Sequence, residues 1–358
     1  MLKKIDWYII KKFIGTYLLS IVLIISIAVV IDVTEKLDNF FESNAPLKAI
    51  IFDYYLNFIP YYTNIFTPLF TFISVIFFTS KMASNSEIIA ILASGIRFRR
   101  MMVPYFISAG LIALISFLLT GFVIPPANKI RLDFEDKYIS KFTSSVARNV
   151  QLEVEKGVIV HIDRFEEKTN KGYRFSMDKF EGKHLVSRLV ASSVTWDSGY
   201  NWTVHEYLQR DFDGLYETII KGEKVDTVIK MIPSDFFITS EQSPEMNNIA
   251  LKKYIKQQEA RGAANLQAFK DEYYRRFSYP LAAFILTLIG VSLASRKVKG
   301  GMGLHLGIGI ALSAIFILFS TISSTFAVSG QVPPLLAVWL PNIVFTVVGI
   351  ILYQTAPK

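Results

Sequence analysis

Apolar residues run without a single charged side chain through residues 13–31, 54–80, 101–128, 277–295 and 300–357. The hydrocarbon core of a bilayer is about 30 Å thick, so a crossing helix needs about 20 apolar residues. The first four runs each suit one helix. The last is too long for one and divides at Ser329-Gly330-Gln331-Val332-Pro333-Pro334, because glycine and paired prolines end helices. The pattern predicts six membrane-spanning helices. The first is expected to be a retained helix and not a cleaved leader: its uncharged stretch exceeds a leader's usual apolar core, and no small-x-small cleavage site follows it.

Between roughly residues 131 and 235 the period changes from helical to two-residue alternation. Val158, Val160 and Ile162 alternate with Ile159, His161 and Asp163, and Tyr173, Phe175 and Met177 alternate with Arg174, Ser176 and Asp178. Turn signals fall at Asn170-Lys171-Gly172, Glu181-Gly182, Asp197-Ser198-Gly199, Asp213-Gly214 and Lys221-Gly222. This spacing predicts seven or eight short antiparallel strands in two layers, as a sandwich, barrel or jelly roll. From residue 248 to 274 the helical period returns, with Leu251, Tyr254 and Ile255 on one face and Lys252, Lys253 and Lys256 on the other. That connector either lies along the membrane or caps the β domain. The chain divides accordingly into residues 1–130 (three spans), 131–240 (β domain) and 241–358 (connector and three spans).

Loop charge orients the spans. Lys3, Lys4, Lys11 and Lys12 precede the first; Lys81, Arg97, Arg99 and Arg100 separate the second and third; Arg296, Lys297 and Lys299 separate the fourth and fifth. Residues 32–48 carry four acids against two bases, and the loop at Gly330 carries no charge. Both termini are therefore expected in the cytoplasm and the β domain on the far side.

Composition narrows the chemistry. The chain is 52% hydrophobic and 19% charged, where soluble proteins average about 25% charged. Its net charge of +8 resides beside the spans, which favours a membrane surface over nucleic acid. With no cysteine there are no disulfides, thiolate metal sites or cysteine nucleophiles. No phosphate-binding loop, H-E-x-x-H or G-x-S-x-G occurs, and His161, His184, His205 and His305 lack metal-ligand spacing. Nothing points to an active site, a metal or a cofactor. The apolar runs hold no acid or base of the kind ion-coupled transporters place there, so the energy for any transport is expected from outside the bilayer.

The most informative segment is Ser84-Asn85-Ser86-Glu87-Ile88-Ile89-Ala90-Ile91-Leu92-Ala93-Ser94-Gly95. Ser84 and Glu87 have capping-box spacing, Ile88, Ile91 and Leu92 share one helical face, and Gly95 supplies a stop. Two readings fit this short helix over residues 84–95. It docks into a partner's groove, or it rests on lipid with Glu87 as a cap.

The S-E-x-x-x-x-x-A-S-G pattern at Ser86–Gly95 resembles the coupling helix of the lipopolysaccharide-export permeases LptF and LptG. Asp6 and Tyr8 before the first span, Pro280-Leu281 at the fourth, and Pro333-Pro334 with Leu340-Pro341 at the sixth sit where that family has them. The resemblance covers nearly the whole chain and leans toward the LptG-like member. It implies a permease subunit of an ATP-driven exporter that lifts lipopolysaccharide from the inner membrane of a Gram-negative bacterium. It also implies a sister six-span permease, a cytoplasmic ABC ATPase dimer, a periplasmic jelly roll and a bridge protein of the LptC/LptA type. By this resemblance the ATPase-coupling residues are Glu87, which would engage the ATPase groove, Ile88, Ile91 and Leu92 packing beside it, and Ser94 and Gly95 at the end of the motif. The basic residues that LptG-like members carry near the outer end of the first span are reduced here to Lys36, in Asp32-Val33-Thr34-Glu35-Lys36-Leu37-Asp38, so Lys36 is a weak lipid-binding candidate.

Gly303 and Gly307 form G-x-x-x-G in the fifth span, which suits either a subunit interface or packing within the chain. A different class of function, a membrane-anchored scaffold whose β domain binds a partner, would leave the internal loops tolerant of mutation.

Overall fold

The computed structural model describes residues 3–139, 146–182, 184–214, 216–237, 240–260, 266–296 and 301–356. Lys297 and Lys299 of the loop between the fourth and fifth spans lie outside these residues. The chain forms two compact units, one helical (residues 1–141, 244–248 and 270–358) and one built on a sheet (residues 142–243 and 249–269).

Among the described residues, six helices are long and apolar enough to cross a membrane. They are α1 (Lys4–Glu42), α2 (Leu47–Ser84), α4 (Phe98–Tyr138), α6 (Gln267–Ala294), α7 (Gly301–Val328) and α8 (Pro334–Thr355). A seven-residue helix, α3 (Glu87–Ala93), joins α2 to α4. At about 1.5 Å per residue the 39 residues of α1 far exceed a bilayer, and its polar turns project beyond both ends of the apolar run. The fourth span, α6, likewise starts well before its apolar run, with Asp271, Glu272 and Arg276 buried in its first turns. The helix break at Gly330 stands where the sequence places it, with Gly330 at φ +77° and Pro333 capping α8.

Burial differs sharply among these helices. In α1 the stripe Ile9, Phe13, Tyr17, Ile21 and Ile25 is covered, one residue per turn, with Asp6 buried before it and Phe40 near the other end, while Leu18, Leu19, Val22, Leu23, Ile27 and Val30 stand exposed. Only 17% of its apolar window is buried, against 67% for α2. Exposed leucine and isoleucine on this scale is what a lipid-facing helix presents. α2 is the hub, packing on both α1 and α7. Phe13 stacks on Phe78 at 5.6 Å and Phe78 on Tyr105 at 5.2 Å, and the Tyr17 and Thr67 hydroxyls meet at 3.1 Å.

The second unit holds one six-stranded antiparallel sheet: β1 (Val146–Glu155), β2 (Val158–Glu166), β3 (Lys171–Glu181), β4 (His184–Ser198), β5 (Asn201–Asp213) and β6 (Tyr216–Val228). The inserted all-β domain is present, but among the described residues the expected seven or eight strands in two layers are six longer strands in one sheet, ordered β1 to β6 in sequence. Lys221-Gly222 is the misread turn. It lies inside β6, paired with Leu208 and Tyr207, and a side chain on Gly222 would strike the Tyr207 ring 2.6 Å away. Glycine is there to admit an aromatic ring, not to bend the chain.

Cover for the sheet comes from the segment after β6. Cross-strand pairs Leu152–Val160, Ile162–Phe175, Phe175–Ala191 and Val194–Val204 bring apolar residues to one face. Phe236, from a helical turn at Ser234–Phe237, covers that face, 4.8 Å from the Phe165 ring and 5.8 Å from Trp202. Trp202 Nε1 donates to the Met231 carbonyl at 3.0 Å. The result is jelly-roll-like in enclosing a core, with the strand order of a meander. A connector helix, α5 (Asn248–Ala260), follows. Its Leu251 and Ile255 are buried and Lys252, Lys253 and Lys256 exposed. Tyr254 lies 4.9 Å from Phe269, so its apolar face is occupied by protein.

Candidate coupling site

The helix α3 is shorter than the sequence suggests and begins differently. Ser84 completes α2, so the capping box does not form. The chain turns at Ser86, whose backbone is left-handed at φ 62°, and the Ser86 carbonyl accepts the first helical bond from Ala90 at 3.0 Å. Gly95, at φ +83°, ends the helix, with its amide on the Leu92 carbonyl at 3.0 Å, and Ser94 Oγ bonds the Ile91 carbonyl at 2.7 Å. Left-handed residues at both ends make α3 a discrete block between two spans.

The two apolar sides of α3 have different surroundings. Ile88 and Ile91 do not offer themselves to a partner. Both are buried in the bundle core with Ile9, Phe98 and Met101, and Leu92 packs against the same cluster. The exposed surface is instead Ile89, Ala90, Ala93, Ser94 and Gly95 with the partly exposed Glu87 at its start. The helix carries apolar residues on both sides, so spacing alone could not say which side is the anchor.

Glu87 is held by two neighbours: Tyr8 Oη donates to its Oε2 at 2.9 Å, and Asn85 Nδ2 to its Oε1 at 3.2 Å. Besides Asp6 it is the sole acid in residues 3–12 and 81–100, where Lys3, Lys4, Lys11, Lys12, Lys81, Arg97 and Arg99 are exposed. A lone carboxylate in a basic surround is a distinctive docking mark, since a cationic partner would otherwise be repelled. Asp6 is 1% exposed. It receives Arg100 Nη1 at 2.8 Å and Nη2 at 2.6 Å, one on each oxygen, and the Lys3 amide at 2.7 Å. Lys3, Ile5, Asp6, Ile9, Ile91, Ile96, Arg100 and Met101 line a shallow cleft beside it. The end of α8 reaches the same place, with Tyr353 5.8 Å from Phe98. Asp6 and Tyr8 register in the sequence only as family markers; their partners lie 94 and 79 residues away, beyond any local pattern.

A family model described as lipopolysaccharide export system permease LptF/LptG matches residues 7–355. The chain belongs to the LptF/LptG family. A comparison with curated proteins returns no match. As an LptF/LptG permease it is a multi-pass inner-membrane protein and a transport subunit of the lipopolysaccharide export system.

The remaining sequence candidates of this LptF/LptG chain fall elsewhere. Lys36 lies at the opposite end of α1, with Asp32 Oδ1 at 3.1 Å, Glu135 Oε1 at 3.2 Å and the Tyr54 hydroxyl in contact. Tyr55 donates to Asp32 Oδ2 at 3.1 Å, and Arg131 reaches Glu135 at 2.9 Å. Two carboxylates stand beside Lys36, and these contacts tie this part of α1 to α2 and α4. Gly303 and Gly307 have open space where a side chain would be, whereas one on Gly309 would strike Ile76. The packing alternative thus applies to Gly309, and the Gly303–Gly307 face is vacant within the described residues. A Gly309→Val chain is expected to lose about 1–3 kcal/mol of stability from overpacking, and Gly307→Val to lose none. Thermal aggregation midpoints in detergent compare the two.

Proposed function

We propose that this chain is one of two permease subunits of an ATP-driven exporter. In this reading it extracts lipopolysaccharide from the inner membrane and passes it, through the β domain of residues 131–240, to a periplasmic bridge protein. Both termini and α3 face the cytoplasm, where a separate ABC ATPase dimer binds. The observation that carries the reading is the anchored helix α3: Ile88 and Ile91 fix it to the bundle, leaving Glu87 presented beside a free apolar strip. A groove with a cation opposite Glu87 would gain a charge-assisted hydrogen bond, and Ile89, Ala90 and Ala93 would fill its apolar floor. The vacant Gly303–Gly307 face allows close approach of a sister subunit's helix.

The first test is purification of the tagged chain from its own membranes in mild detergent, with mass spectrometry of what accompanies it. An ATPase, a second six-span subunit and bound lipopolysaccharide support the exporter. Recovery with none of them rejects it. The second test is Glu87→Ala. The chain should still accumulate in the membrane, while export falls about tenfold or more, the worth of one charge-assisted bond. Export at the wild-type rate would remove Glu87 from the coupling role.

A further inference from the structure

We infer that the first turns of α1 and the helix α3 form one mechanical unit, locked by Asp6–Arg100 and Tyr8–Glu87, so that a push on α3 is delivered directly to the first span. The inference rests on the proposed coupling role of α3 and adds where the motion goes.

Three features carry it. The tie is made on both sides of α3: Glu87 at its start holds Tyr8, and Arg100, in the first turn of α4 just beyond its end, holds Asp6. The stronger contact is two-pronged and on a carboxylate removed from water, which fixes orientation as well as distance. Between these two bonds Ile9 packs into the same core as Ile88 and Ile91, so polar and apolar contacts resist the same displacement.

The third feature is where α1 is not held. Beyond its single buried stripe most of its surface is uncovered, with 17% of its apolar window buried. The opposite end is tied by Asp32 to Tyr55 and by Lys36 to Glu135, so between two fixed ends the lightly packed middle is the part free to respond to a displacement at the grip. The alternative route, through the loop into α4, ends in the same Arg100. Asp6, Arg100 and Tyr8 are accordingly positioning residues. They need not touch either the ATPase or the lipid to matter.

The test uses the complete exporter, with its ATPase, reconstituted in lipopolysaccharide-loaded vesicles, and measures ATP hydrolysis and lipopolysaccharide release together. Asp6→Asn and Arg100→Gln are expected to lower release about tenfold while hydrolysis stays within about twofold of wild type. The double variant should be no worse than either single one, because both remove the same bond. A purely structural role would lower both activities together. Should either variant fail to accumulate in membranes, Tyr8→Phe, at a partly exposed position, decides by the same ratio. Release at the wild-type level, or hydrolysis falling in step with release, overturns the inference. Failure of the underlying reading is seen separately, as ATPase that still copurifies with, and is still coupled to, the Glu87→Ala chain.

Discussion

Replacing Trp202 with alanine is expected to speed proteolysis of the β domain about a hundredfold or more. The indole is fully buried, lies 6.1 Å from Phe165 and 5.8 Å from Phe236, and its N–H is spent on the Met231 carbonyl. Truncating a buried tryptophan costs about 3–5 kcal/mol, and each 1.4 kcal/mol is about a tenfold change in the open population that a protease samples. The loss has two parts. A cavity opens beside Phe165 and Phe236, and the Met231 carbonyl is left without its donor, so the segment that covers the sheet loses its hold. Limited proteolysis of the whole chain in detergent reads the effect as the rate at which helical fragments appear. Trp202→Phe keeps part of the ring packing and should fall between. Cleavage of Trp202→Ala at the wild-type rate would show that this segment is held by something other than the indole.

Arg276→Ala is expected to cost about 3–5 kcal/mol of stability in the helical unit. Arg276 is 2% exposed and donates to Glu272 Oε1 at 2.9 Å, the Met246 carbonyl at 2.7 Å and Asn248 Oδ1 at 3.0 Å. Its removal leaves a buried carboxylate with Arg275 as the other cation bonded to it, and it frees the chain at residues 246–248. Arg276→Lys should recover only part, because one ammonium on a flexible stem cannot reproduce a planar fork aimed at separate acceptors. The comparison variant is Arg275→Ala, since the Arg275 side chain is about half exposed and an exposed ion pair contributes little. Equal thermal aggregation midpoints for Arg276→Ala and Arg275→Ala would contradict this account.

The six spans were legible because a charge-free apolar run of bilayer length rarely serves any purpose but crossing a membrane. The β domain was legible because alternation of Val160, Ile162 and Phe175 with polar neighbours is a local signal. Sheet architecture was less so. Glycine marks a turn at Gly182, Gly199 and Gly214, yet at Gly222 it makes room for Tyr207, and only the strand register distinguishes the two cases. At α3 the sequence located the element and its stop at Gly95. It could not tell which apolar residues face inward, because Ile88 and Ile89 are adjacent and equally apolar. Pairings over long separations stayed hidden altogether. Nothing near Lys36 in sequence reveals that Glu135 will take its charge, and nothing near Asp6 points to Arg100.

That last pairing sets an order of assembly. Asp6 leaves the ribosome 94 residues ahead of Arg100, which at about 5–20 residues per second is roughly 5–20 seconds of synthesis. During that interval the first span enters the bilayer with its stub unsecured and its buried acid still hydrated. The latch closes as the third span starts to emerge, well before the β domain is made. Both partners of the pair are thus made before the β domain, and the end of α8, with Tyr353 against Phe98, joins them last.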